Sequence, residues 1–204
     1  MSMTVLALLL LVAWLVIVGG ARSYLQLRRT GDAGVSFNDR RGSPQWWARL
    51  ISSLGLLAAF AAPVAEIAGL RPVRALDGLV VDVIGVGLVI VGIAVMLAGQ
   101  WAMGASWRAD VDESVRTTLV TTGPFRIVRN PILSATAMTA IGIALMVPNV
   151  FAALMLVAFL TAQQIQVRLV EEPYLLAVHG SAYRDYGRRT GRFLPWLGRF
   201  PSNQ

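Results

Sequence analysis

The stretch Ile132–Val167, ILSATAMTAIGIALMVPNVFAALMLVAFLTAQQIQV, is apolar almost throughout and carries one interruption, Pro148-Asn149, near its middle. A helix needs roughly 20 apolar residues to cross the bilayer core, so this run is too long for one ordinary crossing. Proline breaks the backbone hydrogen-bond ladder of a helix, and the pair therefore predicts a tight helical hairpin. Working outward, apolar runs of spanning length recur at Met3–Ala21, Leu50–Gly69 and Leu79–Ala102. The predicted fold is all-α and integral to the membrane, with about five transmembrane helices, a helical hairpin and a cytoplasmic C-terminal helical tail.

Composition supports the membrane class: of 204 residues, 56% are hydrophobic and only 14% charged. There is no cysteine, which excludes disulfides, thiolate zinc sites and cysteine nucleophiles. The single histidine, His179, reads as an isolated surface residue, and no metal is expected. All 18 basic residues are arginine, so a Schiff-base lysine and a P-loop lysine are excluded. The net charge of +7 does not point to nucleic acid, because the arginines flank apolar spans and form no stripe with interleaved aromatics. Met3–Ala21 is read as a retained span and not a cleaved leader, since no basic residue precedes its apolar core.

Arginine placement also predicts orientation, because cytoplasmic loops carry the excess of basic residues. Arg22, Arg28, Arg29, Arg40, Arg41 and Arg49 follow the first span; Arg108, Arg116, Arg126 and Arg129 lie between the third and fourth; Arg168, Arg184, Arg188, Arg189, Arg192 and Arg199 fill the tail. Only Arg71 and Arg74 fall on the other side. The expectation is a multi-pass protein of the cell membrane with its N-terminus outside and its C-terminus in the cytoplasm. Gly78, Gly85, Gly92 and Gly99 recur every seven residues in the third span, which predicts a face where another helix approaches closely. Trp46, Trp47, Trp101 and Trp107 read as a headgroup-level belt. Glu66 and Asp82, near outer span ends, are expected to pair with Arg71 or Arg74 or to be hydrated.

Two polar clusters flank the hairpin. Before it stands Gly123-Pro124-Phe125-Arg126-Ile127-Val128-Arg129-Asn130-Pro131; after it come Gln164, Arg168, Glu171 and Glu172, at helical spacings that put them on one face. That face alone is equally well read as a surface ladder, with Arg168 bridging the two carboxylates. A hairpin, however, returns the chain to the membrane face from which it left, so the clusters must be neighbours. Gly123-Pro124 turns the chain and Asn130-Pro131 starts a helix, leaving backbone N–H groups and arginines opposite two carboxylates. Such a pocket suits a ligand carrying both charges.

The first cluster resembles the Gly-Pro-Tyr-Arg-x-x-Arg-His-Pro motif of the isoprenylcysteine carboxyl methyltransferase family and its phospholipid methyltransferase relatives. In the tail, Glu171-Glu172, Leu175, Gly180, Tyr183, Tyr186, Arg192-Phe193 and Pro195 are similar in spacing to that family's Glu-Glu-x-x-Leu, Phe-Gly-x-x-Tyr-x-x-Tyr and Arg-Phe-x-Pro pattern. The resemblance covers about Ala98 to Pro195 and divides the chain into residues 1–97, holding helices 1–3, and residues 98–204, a methyltransferase-like core with helices 4 and 5 and the tail.

The resemblance implies a membrane-embedded methyltransferase using S-adenosylmethionine and acting on a lipidic or prenylated acceptor, a carboxyl group of isoprenylcysteine type, with no metal and no nucleic acid. With it, catalytic roles are expected for Arg129 and Glu171 and, from the shared helical face, for Arg168, and cofactor binding for Gly123, Pro124, Arg126, Asn130, Pro131, Glu172, Tyr183 and Tyr186. The chain departs from the motif where Asn130 replaces histidine, Phe125 replaces tyrosine and Leu133 replaces tyrosine after the proline. Asn130 cannot serve as an imidazole base. A carboxylate acceptor needs none, whereas an amine must first lose a proton. Two other readings stand beside this one: an NADPH-dependent membrane reductase of sterol-reductase-like architecture, and a non-enzymatic membrane scaffold.

Overall fold

A computed structural model describes residues 2–35, 39–104 and 118–201. Trp107, Arg108 and Arg116 lie outside the described residues. The first helix, α1 (Met3–Trp14), starts at Ser2, whose side chain accepts from the Val5 N–H. It runs through a π-helical stretch, Leu15–Ala21, into α2 (Arg22–Thr30) and ends at Gly31, which takes the left-handed conformation with φ +75°. The first span is therefore longer than its apolar run predicts. Then follow α3 (Pro44–Ile67), capped by Ser43 with Pro44 in its first turn, and α4 (Leu79–Met103).

The predicted hairpin is present as α5 (Pro131–Met146) and α6 (Val150–Ile165), and its break falls at Pro148-Asn149. The Asn149 side chain accepts from the Phe151 and Ala152 N–H groups, at 3.0 and 3.2 Å, and starts α6. A second π stretch, Gln166–Glu171, carries α6 into α7 (Glu172–His179), and α8 (Ser181–Arg189) completes the tail.

Among the described residues four continuous helices, Met3–Thr30, Pro44–Ile67, Leu79–Met103 and Val150–His179, are long and apolar enough to cross a membrane, while α5 is shorter. At about 1.5 Å rise per residue α5 spans about 24 Å, short of the roughly 30 Å hydrocarbon core.

The two helices of the hairpin touch, but each packs chiefly on another partner: α5 on α4 and α6 on α3, with α1 lying against α3, α4 and α5. The α4 glycines explain that choice. A Cβ added to Gly85 would come within 2.8 Å of the Gly142 carbonyl, one on Gly92 would meet Thr139 and the Ala135 carbonyl, and one on Gly99 would lie 2.9 Å from Ile132. Gly78, the fourth of the series, has nothing near it. In lipid there is little hydrophobic force between helices, so close contact of small residues has to hold them together.

The core is accordingly rich in alanine (Ala7, Ala59, Ala62, Ala140, Ala152) around Val89, Ile143, Met146 and Met155. Large apolar side chains such as Leu9, Val16, Leu57, Leu79 and Val157 face outward, as a lipid environment allows and water does not.

Glu66 does not pair with Arg71 or Arg74. Its carboxylate accepts from Thr4 Oγ1 at 3.2 Å and Asn149 Nδ2 at 3.1 Å, linking α1, α3 and the hairpin turn. An uncompensated carboxylate near a span end needs such donors, and the hairpin turn places Asn149 closer than the loop arginines.

Candidate active site

The polar block is folded against the tail by backbone bonds. Gly123 adopts φ +60° and opens a 3₁₀ turn, Gly123–Arg126, with Pro124 in its second position. Val128 then forms an isolated parallel bridge with Gly191. The Arg129 N–H donates to the Gly191 carbonyl at 2.8 Å, and the Asn130 N–H donates to the Arg192 carbonyl at 3.1 Å. Ser134, one turn into α5, donates to the Phe193 carbonyl at 2.6 Å. The two clusters flanking the hairpin are thus neighbours, as its topology requires.

At the centre lies Arg129, 4% exposed. Its Nη1 donates to the Gly187 and Thr190 carbonyls at 3.0 and 2.5 Å, and its Nη2 to Glu172 Oε1 at 2.7 Å and the Gly198 carbonyl at 3.0 Å. The Phe200 ring stands 4.4 Å from its Cζ, in cation–π range. Glu172, 7% exposed, also receives Arg192: Nε to Oε1 at 2.8 Å and Nη2 to Oε2 at 2.9 Å. Those hydrogen bonds raise the affinity of the Arg192 guanidinium for its proton, against the effect of burial.

Tyr186 donates its hydroxyl to the Phe125 carbonyl at 2.6 Å, and burial pushes its phenol up to about 12, so it stays a donor throughout the physiological range. Burial likewise raises the Tyr183 phenol, with the charge of Glu172 adding to the effect. Tyr183 is fully enclosed, packing beside Tyr186 and edge-on to Phe200.

The predicted polar face on the fifth span does not survive in that form. The Gln166–Glu171 stretch is π-wound, with more residues per turn than an α-helix, so the i, i+4, i+7, i+8 register is lost. Gln164 and Arg168 are exposed, Glu171 is half-buried and accepts from Gln166 Nε2 at 3.3 Å, and Glu172 is buried. Glu172 is held by Arg129 and Arg192, not by Arg168. Of the other predicted site residues, Gly123 and Arg126 are exposed, Pro124 and Asn130 half-buried, and Pro131 buried. The Asn130 side-chain amide donates to the Arg192 carbonyl at 3.1 Å, so it fastens the tail.

His179 is half-buried, and its Nε2 finds no partner, where the sequence reading places it at the surface. Among the described residues no group of three or more His, Asp or Glu side chains could hold a metal ion.

Residues outside the predicted set complete this knot. Arg192 supplies a second, bidentate cation to Glu172, Phe200 covers Arg129, and Ser134 holds Phe193. Arg192 could have been found from its place in the Arg-Phe-x-Pro segment. Phe200 carries no local signal. Gly187 and Gly191 are required for closeness: a Cβ on the first would collide with the Phe200 ring, and one on the second with the Leu194 carbonyl.

No curated protein matches the chain closely enough to serve as a relative. Residues 80–182, just over half of the 204, match the phospholipid methyltransferase (PEMT) family. The match begins in α4, ahead of the boundary expected at 98, and takes in the helix whose glycines seat α5, the polar block, the hairpin and the Glu pair. The α4 span, the polar block, the hairpin and the Arg129–Glu172 ion pair fall within residues 80–182, with the tail residues that close the knot just beyond them, and the chain belongs to the phospholipid methyltransferase family.

Proposed function

We propose that this membrane methyltransferase takes its methyl group from S-adenosylmethionine and delivers it to a carboxyl group of isoprenylcysteine type on a lipidic acceptor entering from the bilayer. The observation that supports this reading most is the closure of the Gly123–Asn130 block on the Glu172 segment, inside the family match. The residues present suit the cofactor's charges. Arg126 and Arg168 are exposed cations fit for a carboxylate, and Glu171 is a half-buried carboxylate fit for an ammonium group.

S-adenosylmethionine supplies an electrophilic methyl on a sulfonium, and in-line displacement then asks the protein mainly for positioning and exclusion of water. In this reading Arg129, Glu172, Tyr183 and Tyr186 are positioning residues: apart from Arg129 Nε, the polar atoms of Arg129, Glu172 and Tyr186 bond one another, Arg192 and backbone carbonyls, and the four fix the floor on which Gly123, Pro124, Arg126, Asn130 and Pro131 stand. Arg168 and Glu171 are the groups in reach of ligand. Because Asn130 is no base, an acceptor that ionises unaided suits the site. A phospholipid acceptor is the second reading, favoured by the family's own description.

In detergent, S-adenosylhomocysteine is expected to stabilise the protein by roughly 2.7 kcal/mol at a hundredfold excess over its dissociation constant, read as a rise in Tm. NADPH should leave Tm unchanged; the reverse ranking would move the chain to the reductase reading. Labelled methyl donor offered with a prenylcysteine analogue or with phosphatidylethanolamine then separates the two acceptors.

The arginine distribution further supports a cell-membrane topology with the N-terminus outside and the C-terminus cytoplasmic. A C-terminal phosphatase fusion, active only outside the cytoplasm, is expected to be silent. Strong phosphatase activity would overturn the orientation and with it the cytoplasmic site.

A further inference from the structure

A second built feature lies away from the Arg129–Glu172 knot. A cleft of about 160 Å³ opens between the end of the first helix and the end of α4, lined by Arg22, Leu25, Arg29, Leu97, Gln100 and Trp101. A volume near 150 Å³ accommodates a benzene-sized group, enough for a phosphate and its nearest substituent atoms. Arg22 and Arg29 stand seven residues apart on one helical face, so both cations border the same space. Arg22 is 8% exposed, and its Nη2 donates to the Gly104 carbonyl at 2.5 Å, which holds it in place. Arg29 is exposed. Arg29 is therefore the accessible cation at the mouth of the cleft, and the charge of Arg22 behind it adds to the attraction for an anion there.

Gln100 makes the ligand more specific. It is 3% exposed; its Nε2 donates at 3.0 Å to the Val18 carbonyl, within the π stretch Leu15–Ala21, and its Oε1 finds no partner. A π stretch inside a helix disturbs the carbonyl ladder and recurs at functional sites. A buried amide oxygen that accepts nothing calls for a donor. A bare phosphate at neutral pH offers mostly acceptors, so the cleft asks for an anion that also carries a hydroxyl. Beside it Leu25 and Trp101, 47% and 81% exposed, give an apolar rim along which acyl chains can run.

We propose that this cleft is a binding site for the headgroup of an anionic, hydroxyl-bearing glycerophospholipid of the phosphatidylglycerol class. Arg29 holds the phosphate diester, with the charge of Arg22 beside it, and a headgroup hydroxyl donates to Gln100 Oε1. A net negative headgroup is preferred over ethanolamine, whose own cation would face the two arginines. The site is independent of the methyl-transfer reading and would stand if that reading failed.

The test is native mass spectrometry of the full chain in detergent, titrated with phosphatidylglycerol, phosphatidylethanolamine or phosphatidylcholine, with inorganic phosphate as competitor. Wild type should retain phosphatidylglycerol preferentially. Arg29→Gln, at an exposed position, should weaken it about tenfold or more, the scale of one charge-assisted hydrogen bond. Gln100→Leu should weaken retention of phosphatidylglycerol and so its preference over phosphatidylcholine, with folding checked by Tm. Equal retention of all three lipids, unchanged retention in Arg29→Gln, or displacement by millimolar phosphate would each overturn the proposal, the last by reassigning the cleft to a free anion.

Discussion

Glu172→Gln is expected to destabilise the protein by about 3–5 kcal/mol, the range for removing one partner of a buried ion pair. The reason is geometric. Glu172 is the only carboxylate in contact with two arginines of the knot among the described residues, and the Arg129 side chain is 1% exposed. Neutralising the carboxylate leaves that guanidinium buried without its counter-charge, and the amide can accept through one oxygen only.

Arg129→Ala should be comparably damaging, because it strips donors from three backbone carbonyls as well as from the carboxylate. Thermal melts in detergent, with proteolysis of the tail beyond Thr190 as a local reporter, measure both. Arg168→Gln, at an exposed position, should leave the melt within about 1 kcal/mol of wild type while weakening S-adenosylhomocysteine. If Glu172→Gln melts as wild type and loses only ligand affinity, the carboxylate belongs to the ligand and not to the knot.

The other large effect is expected at the α4–α5 seam. Gly142→Leu places a Cβ 2.6 Å from the Gly85 carbonyl and 2.8 Å from Val89, both on an element that cannot yield without opening the helix pair. Overpacking of this kind costs about 1–3 kcal/mol, and more when backbone blocks relief. Gly92→Leu should behave alike. Gly87→Leu, exposed on the face of α4 away from the seam with nothing near its Cβ, is the control and should be neutral or slightly stabilising, since leucine is the better helix former. Equal melts for Gly87→Leu and Gly142→Leu would mean that the glycines do not set the approach of the helices.

Much of this architecture is legible in the sequence because bilayer physics leaves few choices. Apolar length marks the spans, Pro148-Asn149 marks the turn, and the seven-residue glycine period marks the α4 seam. The nearness of the block to Glu172 follows from the turn alone. What could not be read is which side chains meet. The π winding at Gln166–Glu171 has no composition signal, yet it separates Glu172 from Arg168. The partner that replaces Arg168 arrives from Arg129, on the far side of the hairpin in sequence, and its cover from Phe200 depends on how the tail turns back over α8. Glu66 likewise took Asn149 in place of the arginines that lie closer in sequence, a contact made only after α1, α3 and the turn assemble.

The shortness of α5 has a consequence for the membrane itself. Its 16 residues present about 24 Å of apolar height beside neighbours of 24 residues or more, so the lipid leaflet next to it is offered too little protein to match its thickness. Mismatch is relieved by local thinning, which draws headgroups and water down toward Asn130 and Pro131, where the polar block ends and α5 begins. Acyl-chain length thereby becomes a variable acting on the enzyme: short-chain bilayers match α5 as it stands, and long-chain bilayers must deform to meet it.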